Sequence, residues 1–207
     1  MRAICKCRII FFVSFSIACL LLPSCSRGVS QVDLDSRNII CFGDSITEGY
    51  GATPGEDFPS RLAEKLGYPV INAGRSGDTT HDALARLKTD VLEKNPGLVI
   101  VEFGGNDFLK KIPQDETFKN LDDIVVSIQN SGATVVLAEV RVGVLFDEYY
   151  GGFKRIAVKR RVLLIPDIMQ DIFNNPKYKS DGFHPNREGY RMIAERIYKY
   201  IAPLIKK

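Results

Sequence analysis

From residue 38 onward, short apolar runs alternate with segments of helical periodicity, and this alternation limits the chain to one class of fold. Residues 38–42, 70–73, 98–103, 133–140 and 162–165 are expected strands. Residues 58–66, 82–92, 117–129 and 188–201 are expected helices, with apolar faces such as Ala83, Leu84, Leu87 and Val91, or Tyr190, Ile193, Ala194 and Ile197. Gly132 is placed to end the third of these helices, and 141–161 shows no obvious long helix. The strands are nearly continuous in apolar character, and Glu102 alone interrupts 98–103. Such strands are buried on both faces, which implies a parallel sheet covered by helices on either side. Right-handed crossovers then bring every strand's C-terminal end to one edge, and ligands of such sheets bind beyond that edge. Residues that carry chemistry should therefore come directly after strands.

Four segments meet that expectation. Gly43-Asp44-Ser45 follows the first strand, and Asn72 to Thr80 follows the second. Gly104-Gly105-Asn106-Asp107 follows the third, and Asp181-Gly182-Phe183-His184-Pro185 precedes the last helix. Acyl transfer needs a hydroxyl with a base in hydrogen-bond reach, a partner that fixes the base, and preorganised donors for the oxyanion. Ser45 supplies the hydroxyl. Of the two histidines, His184 has Asp181 three residues before it, within reach along a turn. Asn106 and a glycine-rich backbone can supply oxyanion donors. Each segment alone is also an ordinary turn: Gly, Asp and Ser are turn residues, and Asn186 would cap the last helix. Their shared order after successive strands favours chemistry. His81 is expected to cap a helix or face solvent, and Asp44 and Asp107 to brace their turns.

Together the four segments resemble the SGNH hydrolase superfamily, also called the GDSL esterases and lipases. The match is closest to the bacterial acyl-CoA thioesterase I / arylesterase / lysophospholipase group. The resemblance implies a flavodoxin-like three-layer α/β/α sandwich with a five-stranded parallel sheet. It also implies hydrolysis of carboxylic ester or thioester bonds through an acyl-enzyme on Ser45, with His184 as base and Asp181 as its partner. The oxyanion hole it implies is the Ser45 N–H, the Gly77 N–H and the Asn106 side chain, with Gly74 as the competing glycine. It implies no metal and no organic cofactor. Phe108 stands where the closest group tends to have a smaller residue, so a narrower acyl-binding loop is expected.

The N-terminus reads as an export signal. Arg2, Lys6 and Arg8 precede an apolar run over 9–22 that is too short for a comfortable membrane span. Leu22-Pro23-Ser24-Cys25 resembles the lipobox of bacterial lipoproteins, although Pro23 departs from the usual small residue. The expected organisation is a lipoprotein signal over 1–24, a lipidated Cys25 anchoring the protein to the membrane and facing the periplasm, a tether over 25–37 and the hydrolase domain over 38–207. Three of the 28 basic residues lie in 1–24, which leaves 25 to balance the 25 acidic ones. A neutral domain offers no electrostatic footprint for nucleic acid, so the expected partner is a small acyl ester or thioester. Cys5, Cys7 and Cys19 leave with the signal, so Cys41 has no disulfide partner and is expected to be a small buried residue. The rival functions are a cell-envelope carbohydrate O-deacetylase or acyltransferase, and a non-catalytic envelope lipoprotein.

Overall fold

The structure is a computed structural model and describes residues 31–141 and 147–206. The signal segment and Cys25 lie outside the described residues. Strands β1 (Asn38–Gly43), β2 (Val70–Gly74), β3 (Pro96–Glu102), β4 (Thr134–Ala138) and β5 (Leu163–Ile165) form a parallel sheet in the order β2-β1-β3-β4-β5. Side chains alternate across it. Ile39, Cys41, Leu98 and Ile100 face one core, while Ile40, Phe42, Val99 and Val101 face the other. Helices α2 (Phe58–Leu66) and α7 (Arg187–Ile201) cover the first face through Phe58, Leu62, Ile193 and Ile197. Helices α3 (Thr80–Asp90), α5 (Gln114–Asn130) and α6 (Asp147–Arg160) cover the second through Ala83, Leu87, Leu121, Ile124 and Phe153. The result is the three-layer α/β/α sandwich. The order of connection reverses between β1 and β3, so the loops leaving these strands diverge and open a crevice at the sheet's C-terminal edge.

Side-chain caps set the helix boundaries. Asp57 accepts from Ser60 N at 2.9 Å at the start of α2, and Thr79 and Asp82 form a reciprocal capping box on α3. That box starts α3 two residues ahead of the apolar periodicity. Asn186 caps α7 through Glu188 N and Gly189 N. His81 is exposed in the first turn of α3 and is not its cap.

Two expectations require correction. Residues 31–37 are not a free tether. Val32 and Leu34 are buried, and Val32 forms a parallel bridge with Ile205 just past the last helix. Arg37 donates to Pro96 O at 2.6 Å and Gly132 O at 3.1 Å. Burying a valine and a leucine stabilises by about 1.5–3 kcal/mol each, enough to dock a polar segment that carries them. The domain therefore begins before Asn38.

The second correction is α6, a long helix within 141–161. Gly151-Gly152 has low helix propensity but stands within this helix, whose Phe153, Ile156 and Ala157 are buried at helical spacing. A Cβ on Gly152 would overlap the ring of Phe118, so glycine here permits the close approach of α6 to α5. Gly152→Val is expected to lower stability by about 1–3 kcal/mol through overpacking, measured as a fall in urea midpoint. An unchanged midpoint would show that the Phe118 ring can swing clear.

Candidate active site

Past Gly43, Asp44 Oδ1 accepts from Ile46 N at 3.0 Å and starts the short helix α1 (Ser45–Glu48). Ser45 is thereby the first residue of α1 at the sheet's C-terminal edge. Its Oγ lies 3.0 Å from His184 Nε2, and His184 Nδ1 lies 2.8 Å from Asp181 Oδ2. The other oxygen, Asp181 Oδ1, accepts from Phe183 N and His184 N, both at 2.8 Å. These two backbone donors, ahead of the imidazole, hold the Asp181 carboxyl down to about 2. A carboxylate at Nδ1 fixes the imidazole proton there and leaves Nε2 to accept from the Ser45 hydroxyl. The three residues expected from the sequence are thus brought into one hydrogen-bonded line across 139 residues of chain.

Tyr50, which sequence reasoning passed over, packs on His184 with ring centroids 4.4 Å apart. Its backbone is held by the buried Tyr190, whose hydroxyl donates to Tyr50 O at 2.8 Å. A glycine-flanked tyrosine one turn after a candidate nucleophile was the available signal.

The opposite wall comes from the loops after β2 and β3. Helix α4 (Gly105–Leu109) carries Asn106, whose Nδ2 donates to Asp78 O at 3.0 Å and to Asp44 Oδ2 at 3.1 Å. Gly74 N donates to Asn72 Oδ1 at 2.9 Å and is already engaged. Gly77 takes a left-handed φ of 82°, and its N–H, like that of Ser45, makes no hydrogen bond among the described residues. The Gly77 carbonyl accepts from Lys110 Nζ at 2.8 Å, which ties this loop to α4. Asp44 and Asp107 brace turns as expected, Asp107 by accepting from Thr80 N and Thr80 Oγ1.

Two buried charged residues beneath these loops were missed. Arg86 donates to Gly43 O at 2.9 Å, Ala73 O at 2.8 Å and Asp78 Oδ2 at 2.5 Å, so it fastens the ends of β1 and β2 to the loop carrying Gly77. The signal was its position, at helical spacing from Ala83 and Asp90 on the inward face of α3. Glu102 ends β3 under Ser45, with Oε2 accepting from Thr47 Oγ1 at 2.7 Å. Cys41 is buried, and burial pushes its thiol well up from the ordinary value, so it is no nucleophile.

Beside Ser45 opens a cleft of about 120 Å³, floored by Ile46, Val140, Met169 and Phe173 and rimmed by Leu109 and Phe183. Its apolar lining suits a small apolar group held beside Ser45. Phe108 does not narrow it. Its ring turns away to pack edge-on against Tyr149 at 5.5 Å, and Leu109 takes the place at the rim. No cluster of His, Cys, Asp and Glu suited to a metal ion occurs among the described residues.

Residues 41–192 match the GDSL-like Lipase/Acylhydrolase family. The chain is 33% identical over 189 residues to an arylesterase from Vibrio mimicus, covering 86% of this chain and 93% of that protein. It is 30% identical to thioesterase 1/protease 1/lysophospholipase L1 of Escherichia coli K12, over 81% of this chain and 84% of that protein. Among solved structures, the psychrotrophic esterase EstA from Pseudoalteromonas sp., inhibited by monoethylphosphonate, superposes with a TM-score of 0.74 at 26% identity, covering 81% of this chain and 97% of that one.

Proposed function

Because this chain belongs to the GDSL-like lipase/acylhydrolase family, and is a serine hydrolase of the esterase and thioesterase kind, we propose that Ser45 is its nucleophile, His184 its general base and Asp181 the partner of that base. The single observation that carries this reading is the continuous line from Asp181 Oδ2 through the imidazole to Ser45 Oγ, with contacts of 2.8 and 3.0 Å. Ser45 Oγ attacks the acyl carbonyl while Nε2 takes its proton. The oxyanion is received by the free N–H groups of Ser45 and Gly77 and by Asn106 Nδ2, which exchanges its contact with Asp78 O for the oxyanion while keeping the one with Asp44. His184 then protonates the departing alcohol or thiol, and water, activated by the same imidazole, releases the acid. Gly77 is preferred to Gly74 because the Gly74 N–H is already bonded to Asn72.

The apolar floor of the cleft favours an acyl chain over an acetylated sugar as the group held beside Ser45. The test is a p-nitrophenyl ester series set against acetylated sugars, with phosphonate labelling of Ser45 as the check on the nucleophile. A sharp acetyl preference, with turnover of acetylated sugars, would replace the acyl-chain reading by O-deacetylation. Asn106→Ala is expected to lower kcat by ~10²–10³ with little change in KM. Wild-type kcat in that variant would remove Asn106 from the oxyanion hole.

We further propose that the protein is held at the membrane by a lipidated Cys25 and faces the periplasm. Because Val32 is docked on the domain, the segment 25–31 could span at most ~25 Å at full extension, which would keep the enzyme close to the bilayer. Loss of palmitate labelling and of membrane fractionation in Cys25→Ser tests this; unchanged fractionation overturns it.

A further inference from the structure

A carboxyl group that the reaction does not touch lies directly beneath it. Glu102 is the one charged residue of β3 and is 1% exposed. Its Oε2 accepts from Thr47 Oγ1 at 2.7 Å and Asp44 N at 3.4 Å, while Oε1 meets no donor among the described residues. Beside it is a second buried carboxyl, Asp44, 3% exposed, whose backbone N–H donates to Glu102 Oε2 and whose side chain stands against that of Glu102. A hydrogen bond between carboxyls requires a proton on one of them.

Their surroundings supply that proton. Facing the pair are Cys41 on β1, Tyr190 on α7, Asp107 on α4 and His184. Of these only His184 can carry positive charge. Burial, then the neighbouring Asp44, pushes Glu102 well up from its ordinary range, and burial raises Asp44 to about 6. Two adjacent buried carboxyls cannot both ionise cheaply. Asp44 is the one better served as the anion, because it also accepts from Ile46 N at 3.0 Å and Asn106 Nδ2 at 3.1 Å.

We propose that Glu102 is a positioning residue for the oxyanion donor: as a carboxylic acid it donates a hydrogen bond to Asp44, and Asp44, so anchored, orients Asn106 Nδ2 beside Ser45. This rests on the roles assigned above to Ser45 and Asn106. The proton stays within the pair, and Glu102 touches no substrate. Gly43 fits the arrangement, since a Cβ there would lie 2.6 Å from Glu102 Oε2 and closer still to Thr47 Oγ1. Removing the acid frees the Asp44 carboxyl to turn or to take up the proton itself, and in either case the contact that aims Asn106 is lost.

The experiment compares Glu102→Gln with Glu102→Ala on p-nitrophenyl butyrate, with kcat and KM separated. Glutamine keeps an uncharged donor facing Asp44, so kcat stays within ~3-fold of wild type; alanine lowers kcat ~10–100-fold, less than loss of the donor itself, with KM nearly unchanged. A second measurement does not depend on the alanine variant folding. A carboxyl raised in the folded state makes wild-type stability fall as pH rises from the ordinary 4.5 toward the folded value. Glutamine lacks that proton, so the stability of Glu102→Gln relative to wild type should climb between pH 5 and pH 8. Glutamine as damaging as alanine, alanine with wild-type kcat, or a stability gap independent of pH would each overturn the proposal. If Ser45→Ala is inactive while Glu102→Ala is fully active, only the role of Glu102 fails; if Ser45→Ala is active, the reading of the site fails first.

Discussion

Ser45→Ala is expected to lower hydrolysis of p-nitrophenyl butyrate by ~10⁴–10⁶, the range found when the nucleophile of a serine triad is removed. The fold should not change. The Ser45 side chain is half-buried, and His184 is its hydrogen-bond partner, so the stability change stays within ~1 kcal/mol. The two hydroxyls on the turns next to Ser45 are already engaged. Thr47 Oγ1 is buried and donates to Glu102, and Ser76 is held by Glu48. His81, the second histidine, lies exposed at the start of α3. Activity is measured together with phosphonate labelling and a thermal melt. A folded Ser45→Ala protein with near-full turnover would remove Ser45 from the mechanism.

The parts of this site that could be read from the sequence are those where one residue's type and its position after a strand suffice. Ser45, Asn106 and the Asp181–His184 turn each follow or precede an element whose apolar pattern is plain, and the sheet then brings them together without further information. Glu102 and Arg86 were harder because their meaning lies in partners far along the chain. Glu102 reads as an interruption of an apolar strand until Asp44, 58 residues earlier, is seen against it. Arg86 lies on the inward face of α3, but its role shows only when Gly43 O, 43 residues away, is found at its guanidinium. The helix α6 was hidden by a different cause. Gly151-Gly152 carries low helix propensity, and the contact that makes it useful is with Phe118 on α5. The same aromatic layer decides Phe108. Size alone suggested a narrower cleft, but the direction of the side chain is set by Tyr149 on a helix the sequence did not announce.

Asp181→Asn should lower kcat by ~10³–10⁴, approaching the ~10⁴ seen when a triad aspartate is made an amide. The geometry explains why an isostere should be so damaging. Oδ1 of an asparagine would still accept from Phe183 N and His184 N, now at 2.8 Å, so the turn keeps its shape. That leaves the amide NH₂ facing Nδ1, where Oδ2 now sits. An N–H there drives the imidazole proton to Nε2, the atom that must accept from Ser45. The base is then present, in place and in the wrong tautomer. The reduction is placed below the full value because the Asp181 side chain is 42% exposed, so water can enter and partly restore the tautomer. The acidity of Asp181 itself adds no limb to the activity profile. Held at about 2, chiefly by the two backbone donors, the carboxylate is ionised throughout any assay near neutrality. Its contribution to stability is present above the ordinary 3.8 and is lost as pH falls from there toward 2, so wild type, but not Asp181→Asn, should show this loss in acid melts. Kinetics of Asp181→Asn near pH 7, paired with those melts, separate the two roles. A variant with wild-type kcat would mean that the turn alone, without the carboxylate charge, sets the imidazole.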